Sequence, residues 1–298
     1  MPGREVHPNV YSYSAAISAC EKGEQLQLAL ELFEQMSLAQ VPANVISYSA
    51  VISCCEKVGQ WQQALCFFEK MLWAKVEPNQ VSFNAAISAC EKGRQWLLAL
   101  QLIFQMPQKQ IWPDVISFNA AISSCEKALR WEHALYVFAL MPTMKLQPDV
   151  VSFSAAISSC EKMGQWQQAL QLFSQLTVSC SNDFSFNALI SSCEKAGRWQ
   201  EALHLMSLMV QSSVRRDQIS FNSAITSCQR LKHWPQALQL FEEMNCCHIQ
   251  PDIITYFLAI SSCERGGRLQ QALMLFEASK CHVLSKLVES TSGLANVP

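Results

Sequence analysis

An all-α solenoid of about eight helix-turn-helix repeats, coiled into a superhelix, is the fold this sequence predicts. Three observations carry it. Cys20, Cys55, Cys90, Cys125, Cys160, Cys193, Cys228 and Cys263 recur at 35 residues, with one step of 33. The neighbouring columns keep the same register: counting Val10 as position 1, position 8 is isoleucine from Ile17 to Ile260, and positions 20 and 21 are Ala-Leu from Ala29-Leu30 to Ala272-Leu273. Within each unit, apolar residues show helical spacing twice. A fixed period of this length marks stacked repeats, each too small to bury its apolar faces alone.

The first helix is read from positions 4, 7, 8 and 11, as in Phe83, Ala86, Ile87 and Cys90. That spacing is one face of an α-helix. A serine at position 3 (Ser12, Ser47, Ser82, Ser117, Ser152, Ser185, Ser220, with Thr255 in the last repeat) is the expected N-cap. A break follows that often holds glycine, such as Gly59 or Gly197. The second helix runs through positions 17, 20, 21, 24 and 27, as in Trp166, Ala169, Leu170, Phe173 and Leu176. Small alanines at positions 6, 7 and 20 let the paired helices approach closely. Tryptophan at position 17, present in six repeats from Trp61 to Trp234, fills the wider gap between them. Leu26 and Leu269 replace it in the terminal repeats, which solenoids often vary as caps. Repeat boundaries are expected at 10–44, 45–79, 80–114, 115–149, 150–182, 183–217, 218–252 and 253–287, between a lead of 1–9 and a tail of 288–298.

Composition narrows the function classes. No apolar run approaches the roughly 18 residues of a membrane span, and net charge is only −2. Fourteen cysteines without pairing logic point to packing thiols in a reducing compartment. No histidine recurs by repeat, and Cys246-Cys247-His248 lacks the spacing and second ligand pair of a zinc site. Neither a phosphate loop nor a nucleophile arrangement is present. The chain is expected to bind rather than catalyse, with no metal and no other cofactor.

Tetratricopeptide repeats, at 34 residues, are one candidate. Their motif needs Leu-Gly-x2-Tyr where this chain has Ile-Ser-x-Cys. The stretches VISYSAVISCCEKVGQWQQALCFFEKM and VISFNAAISSCEKALRWEHALYVFALM instead resemble pentatricopeptide repeats, as do the 35-residue period and the Pro-Asp or Pro-Asn endings. The resemblance covers residues 10 to about 287. It implies a right-handed superhelical solenoid that binds single-stranded RNA, one base per repeat. It also implies a role in RNA stability, processing or translation, a mitochondrial or plastid location without a visible targeting peptide, and protein partners where catalysis is needed.

In that family positions 5 and 35 read the base and position 2 clamps it. Here the pairs are Ser14 with Asn44, Ser49 with Asn79, Asn84 with Asp114, Asn119 with Asp149, Ser154 with Asn182, Asn187 with Asp217, and Asn222 with Asp252. Serine always accompanies asparagine, and asparagine always accompanies aspartate. A carboxylate only accepts, which suits the ring N–H of uracil or guanine, whereas an amide can donate to adenine or cytosine. By the family's code the ligand is 5′-AAUUAUU-3′. The other reading of the same columns is helix capping and turn chemistry.

Position 2 is apolar in every repeat: Tyr11, Ile46, Val81, Ile116, Val151, Phe184, Ile219 and Ile254. Base clamping and inter-repeat packing both fit. Position 13 is basic in every repeat: Lys22, Lys57, Lys92, Lys127, Lys162, Lys195, Arg230 and Arg265. The glutamates that precede most of them point about 100° away around the helix. Phosphate contact and favourable helix-end electrostatics both fit this column. A protein-binding helical-repeat scaffold is the rival function, but a peptide groove gives no reason for paired switching at positions 5 and 35. Repeat five is two residues short after its second helix, which puts Asn182 in doubt as a reader. Repeat eight has Phe257 and Leu287 at the reading positions, and is expected to cap the array without reading a base.

Overall fold

Each repeat becomes an antiparallel helical hairpin because both of its stripes are one-sided. The computed structural model describes residues 8–175 and 183–280, which fall into two compact units, one up to Ser159 and one from Cys160. The first unit holds α1 (Val10–Lys22), α2 (Leu26–Leu38), α3 (Val45–Val58), α4 (Trp61–Trp73), α5 (Gln80–Lys92), α6 (Trp96–Gln105), α7 (Val115–Lys127), α8 (Trp131–Thr143) and most of α9 (Val150–Lys162). The second holds the rest of α9, then α10 (Trp166–Gln175), α11 (Asp183–Lys195), α12 (Trp199–Gln211), α13 (Gln218–Arg230), α14 (Trp234–Cys246), α15 (Ile253–Arg265) and a last helix over 269–280. Among the described residues there is no strand. In the first unit α1, α3, α5 and α7 lie side by side, and α2, α4 and α6 each pack against the first helix of the following repeat. In the second, α11, α13 and α15 repeat that row, backed by α10, α12 and α14.

The predicted core columns are buried. Phe83, Ala86, Ile87 and Cys90 line one helix of the third repeat, and Ala99, Ile103 and Met106 complete the hairpin. Between repeats, the aromatic residue at position 24 meets position 4 of the next edge-on: Phe33 with Tyr48, Phe68 with Phe83, Phe138 with Phe153, Phe173 with Phe186 and Phe241 with Tyr256, at 4.7–5.3 Å. Such pairs are worth about 0.5–1.5 kcal/mol each beyond area burial. They tie five of the hairpins to their successors; Ile103 and Met206 hold the same position in repeats three and six.

The cysteine column is core. Cys55, Cys90, Cys125, Cys160, Cys193, Cys228 and Cys263 are fully buried and free of disulfides. Burial pushes the thiols of Cys55, Cys90 and Cys193 up to about 12, and those of Cys125 and Cys228 up to about 11. The main chain explains why the turn repeats so regularly. The carbonyl at position 11 accepts from the N–H at position 16 (Cys55 from Gln60 at 2.9 Å, Cys90 from Gln95 at 2.8 Å). This is the six-to-one bond of a left-handed C-terminal cap. Position 15 takes positive φ, as glycine at Gly59, Gly164, Gly197 and Gly267, but as Glu24, Arg94, Leu129 and Lys232 elsewhere.

Two expectations are corrected. The helix N-cap is not the serine at position 3 but the residue before position 1. Asn44, Asn79, Asp114, Asp217 and Asp252 have extended backbones, and their side chains accept from the N–H three residues on. The serine sits at N3 and returns a bond to the cap's own N–H, which makes a capping box. Nor does tryptophan at 17 fill the gap between paired helices. It lies half-buried against the turn of the following repeat. Arg130, Arg198 and Arg268 stand over Trp96, Trp166 and Trp234 at 4.8–5.6 Å, and His233 stacks on Trp199 at 4.2 Å. A side chain at Gly93 would collide with the Trp61 indole.

Candidate nucleic-acid interface

Positions 2, 5, 9 and 13 fall within about 80° of one another around the first helix, since each residue turns 100°. Along this stripe positions 2 and 13 are mostly exposed, whereas positions 5 and 9 are mostly half-buried or buried. Position 2 projects from it: all eight apolar side chains are 51–77% exposed, from Ile46 to Tyr11. The structure therefore excludes ordinary core packing for this column. One exposed apolar side chain thus recurs at this position in every repeat.

Beside that row, the pairs at positions 5 and 35 come together in every described repeat that has both. In repeats one and two the hydroxyls of Ser14 and Ser49 donate to Asn44 Oδ1 and Asn79 Oδ1 at 3.2 and 3.5 Å. In repeats three, four and six the amides of Asn84, Asn119 and Asn187 donate to Asp114, Asp149 and Asp217 at 3.3, 3.1 and 3.0 Å. Asn222 also bonds the Asp252 carboxylate. The serines are recessed, at 4% and 6% exposure, while the asparagines are half-buried and stand higher. Ser154 is half-buried on the same stripe; its partner Asn182 lies outside the described residues. So does Leu287, and Phe257 stands 64% exposed at position 5 of the last repeat.

Capping and base reading are thus not exclusive, because each position-35 side chain has two ends. The Oδ1 of Asn44 accepts the Ser47 N–H at 2.9 Å, and that of Asn79 accepts the Ser82 N–H at 2.9 Å. With its oxygen committed to the helix, an asparagine has only its NH2 to offer outward. Aspartate commits one oxygen likewise, as at Asp217, whose Oδ1 caps and whose Oδ2 takes the Asn187 amide. It presents acceptors alone. The cap therefore fixes the sign of the hydrogen bond at position 35: donor for asparagine, acceptor for aspartate.

Burial raises the Asp149 carboxyl, but the N–H groups of Ser152 and Val151, the Ser152 hydroxyl and the Asn119 amide outweigh it, and the net displacement is downward. Asp252 is held down in the same way by Thr255, Asn222 and Gln218. Both are carboxylates throughout the neutral range.

The basic column has a second attachment that sequence inspection missed. Lys57 pairs with Glu21 at 3.1 Å, Lys92 with Glu56 at 2.7 Å, Lys127 with Glu91 at 2.8 Å, Lys195 with Glu161 at 2.6 Å and Arg230 with Glu194 at 3.5 Å. Each cation reaches position 12 of the preceding repeat, so the glutamates do not point idly away. The signal was present in the sequence as a charge pair repeated at one period, across the boundary instead of within the helix. Lys22 belongs to the first of these repeats. At Arg265 the facing residue is Gln229, whose amide bonds Ser261 at 2.7 Å.

Among the described residues no group of histidine, cysteine and acidic side chains could hold a metal ion, and no helix is long and apolar enough to cross a membrane.

Comparisons with known proteins agree with this geometry. The family model described as the pentacotripeptide-repeat region of PRORP matches residues 4–182. A PPR repeat model matches 184–214, and a pentatricopeptide repeat domain model matches 204–268. No curated protein sequence matches the chain. Among solved structures, the pentatricopeptide repeat protein PPR10 from maize is similar, with a TM-score of 0.59 at 19% identity over 92% of this chain and 44% of that one. PPR10 in complex with an 18-nt PSAJ RNA element has a TM-score of 0.55 at 18% identity over 94% and 46%. Nuclear protein-only RNase P 2 of Arabidopsis thaliana has a TM-score of 0.57 at 14% identity over 64% and 43%. This chain thus spans less than half the length of each of these relatives. The family models, the 35-residue hairpins and the paired columns together identify the chain as a member of the pentatricopeptide repeat family.

Proposed function

We propose that this protein binds single-stranded RNA in a sequence-specific manner, one base to a repeat, through positions 2, 5 and 35. The observation that carries the reading is the exposed apolar column next to a polar pair whose hydrogen-bonding sign switches from repeat to repeat. The apolar side chains supply faces for bases. The pairs supply edges that tell one base from another. Family membership and the RNA bound by PPR10 support the same assignment.

Repeats one and two, with a recessed serine and an outward amide, take adenine. Repeats three and four, with a raised asparagine and a carboxylate, take uracil, as do repeats six and seven. Ser154 and Asn182 supply the adenine reader between them, which gives 5′-AAUUAUU-3′ along the chain. Phosphates run past the position-13 cations and exchange with their glutamate partners, since an exposed ion pair is worth only about 0–1 kcal/mol. The consequence of binding lies in RNA stability, processing or translation, in a mitochondrion or plastid, with any catalysis supplied by a protein partner.

The test is a titration of the protein with AAUUAUU embedded in unstructured RNA, against a scrambled sequence of equal composition. Tighter binding of the first is expected. Equal affinities would remove the base-reading claim, and no binding of either would remove RNA as the ligand.

A further inference from the structure

Between each Asn–Asp pair and the next repeat stands a hydroxyl at position 3. The acceptors nearest to it differ between repeats. In the serine–asparagine repeats it turns back to the main chain: Ser47 Oγ donates to the Asn44 carbonyl at 3.0 Å and Ser82 Oγ to the Asn79 carbonyl at 2.8 Å. In repeats three, four and seven it turns to the position-5 asparagine instead. Ser117 Oγ lies 2.6 Å from Asn84 Oδ1 and 2.8 Å from Asp114 Oδ1, Ser152 Oγ 2.6 Å from Asn119 Oδ1 and 2.8 Å from Asp149 Oδ1, and Thr255 Oγ1 2.8 Å from both Asn222 Oδ1 and Asp252 Oδ1, so an asparagine oxygen joins the carboxylate as acceptor only here. Serine at position 5 is too short to offer this acceptor. Asparagine reaches it.

From this geometry we infer that position 3 of the following repeat is a positioning residue for base choice, in addition to positions 2, 5 and 35. The inference rests on the base-reading proposal above. An asparagine amide has two nearly isosteric orientations that exchange a donor for an acceptor. The position-3 hydroxyl gives its proton to the amide oxygen, so the NH2 is directed at the carboxylate and the open stripe. Aspartate then offers an acceptor and asparagine a donor. Uracil, with its ring N–H beside a carbonyl, complements that pair. Cytosine has an unprotonated ring nitrogen there and faces the carboxylate acceptor to acceptor. A flipped amide would present its oxygen to the pyrimidine carbonyl and erode the preference for uracil. The base taken by one repeat thus depends on a residue of the next.

Repeat six supplies a control within the protein. There Ser220 turns its hydroxyl to the Asp217 carbonyl at 2.8 Å, and Asn187 Oδ1 is buried without a partner. Its amide lacks the lock that Asn84 and Asn119 have.

The experiment compares S117A, S117T and S82A in the full chain, with RNAs that vary the second or third base of AAUUAUU. Both alanine variants remove the same capping-box hydroxyl, so their melting temperatures should fall by similar amounts. In S117A the preference for U over C at the third base should drop about three- to tenfold, the worth of one hydrogen bond. S117T should keep it, because Thr255 makes the same bond in the last repeat. S82A should leave the preference for A over G at the second base within about twofold. In the wild type, discrimination at the sixth base should be weaker than at the fourth. An S117A protein that melts lower but keeps its U-over-C preference would reduce position 3 to a helix cap and overturn the inference. A wild type with no preference at the third base would overturn the readout itself, and this inference with it.

Discussion

The Asn119 side-chain amide donates to Asp149 Oδ1 across 3.1 Å, thirty residues further along the chain, and Ser152 donates its N–H to the same oxygen at 2.8 Å. One carboxylate therefore starts α9 and anchors the position-5 asparagine of the repeat before it. This double duty explains why serine travels with asparagine and asparagine with aspartate. An amide at position 5 adds a donor to the N–H and hydroxyl that already bond the cap, and a carboxylate, with two oxygens and about four lone-pair sites, has the acceptor capacity for all of them.

Reprogramming repeat four follows from that chemistry. N119S with D149N recreates the pair present in repeats one and two, and asparagine caps a helix about as well as aspartate. Preference at the fourth base should move from U to A with little change in melting temperature. D149N alone should favour C, because the outward amide then meets a pyrimidine acceptor. Each mismatch should cost on the order of 1–3 kcal/mol, measured by competition binding. A double variant that still prefers U would make these columns capping residues only.

The same aspartate sets an acid limit. Its folded carboxyl is displaced downward, so its contribution to stability is full above the unfolded value of about 3.9 and is lost as pH falls through the folded value. The stability difference between wild type and D149N, followed by denaturant titration, should shrink as pH drops below about 4. A difference that stays constant from pH 7 to pH 3 would deny the carboxylate that role.

Exposed apolar residues at position 2 should separate binding from folding. I116A removes a side chain that is not part of the core, and surface changes of this kind usually stay within about 0.5 kcal/mol in stability. RNA affinity should fall severalfold for every sequence. An affinity equal to wild type would leave the column without its assigned use.

Salt dependence tests the cations. Replacing Lys57, Lys92 and Lys127 with alanine should flatten the log–log salt slope of RNA binding by about 2, taking ~0.7 per phosphate contact on single strands. Affinity should weaken alike for matched and scrambled RNA. If the slope holds and only the melting temperature falls, these lysines serve the Glu21, Glu56 and Glu91 pairs and nothing more.

The thiols offer a check on the fold. Cys66, Cys246 and Cys247 are exposed, whereas Cys55, Cys90 and Cys193 are buried with pKa values pushed up to about 12. A thiol reagent at neutral pH should modify the first group quickly and the second only on unfolding. Because the folded values are raised, stability is retained below the unfolded thiol range near 8.5 and should decline above it. Rapid native labelling of Cys90 would contradict the packing.

Periodicity by itself determined the hairpins, their register and the columns that matter. A repeat can bury Phe83, Ala86, Ile87 and Cys90 only against neighbours that carry the same stripe, so a 35-residue period leaves one architecture. It also paired positions 5 and 35, through residue types that change together. What the linear order could not convey was where a side chain with two competing uses would go. Serine at position 3 and Asn or Asp at position 35 are both good N-caps; the choice fell to position 35 because the chain enters the helix there with an extended backbone. Lys92 could have ended its own helix alone, yet stacking brings Glu56 of the previous repeat within 2.7 Å. Tryptophan at 17 could have packed inward, but the turn of the next hairpin, open at Gly93, receives Trp61 instead. These outcomes depend on distances across repeat boundaries, which come into being only when one hairpin docks on the next.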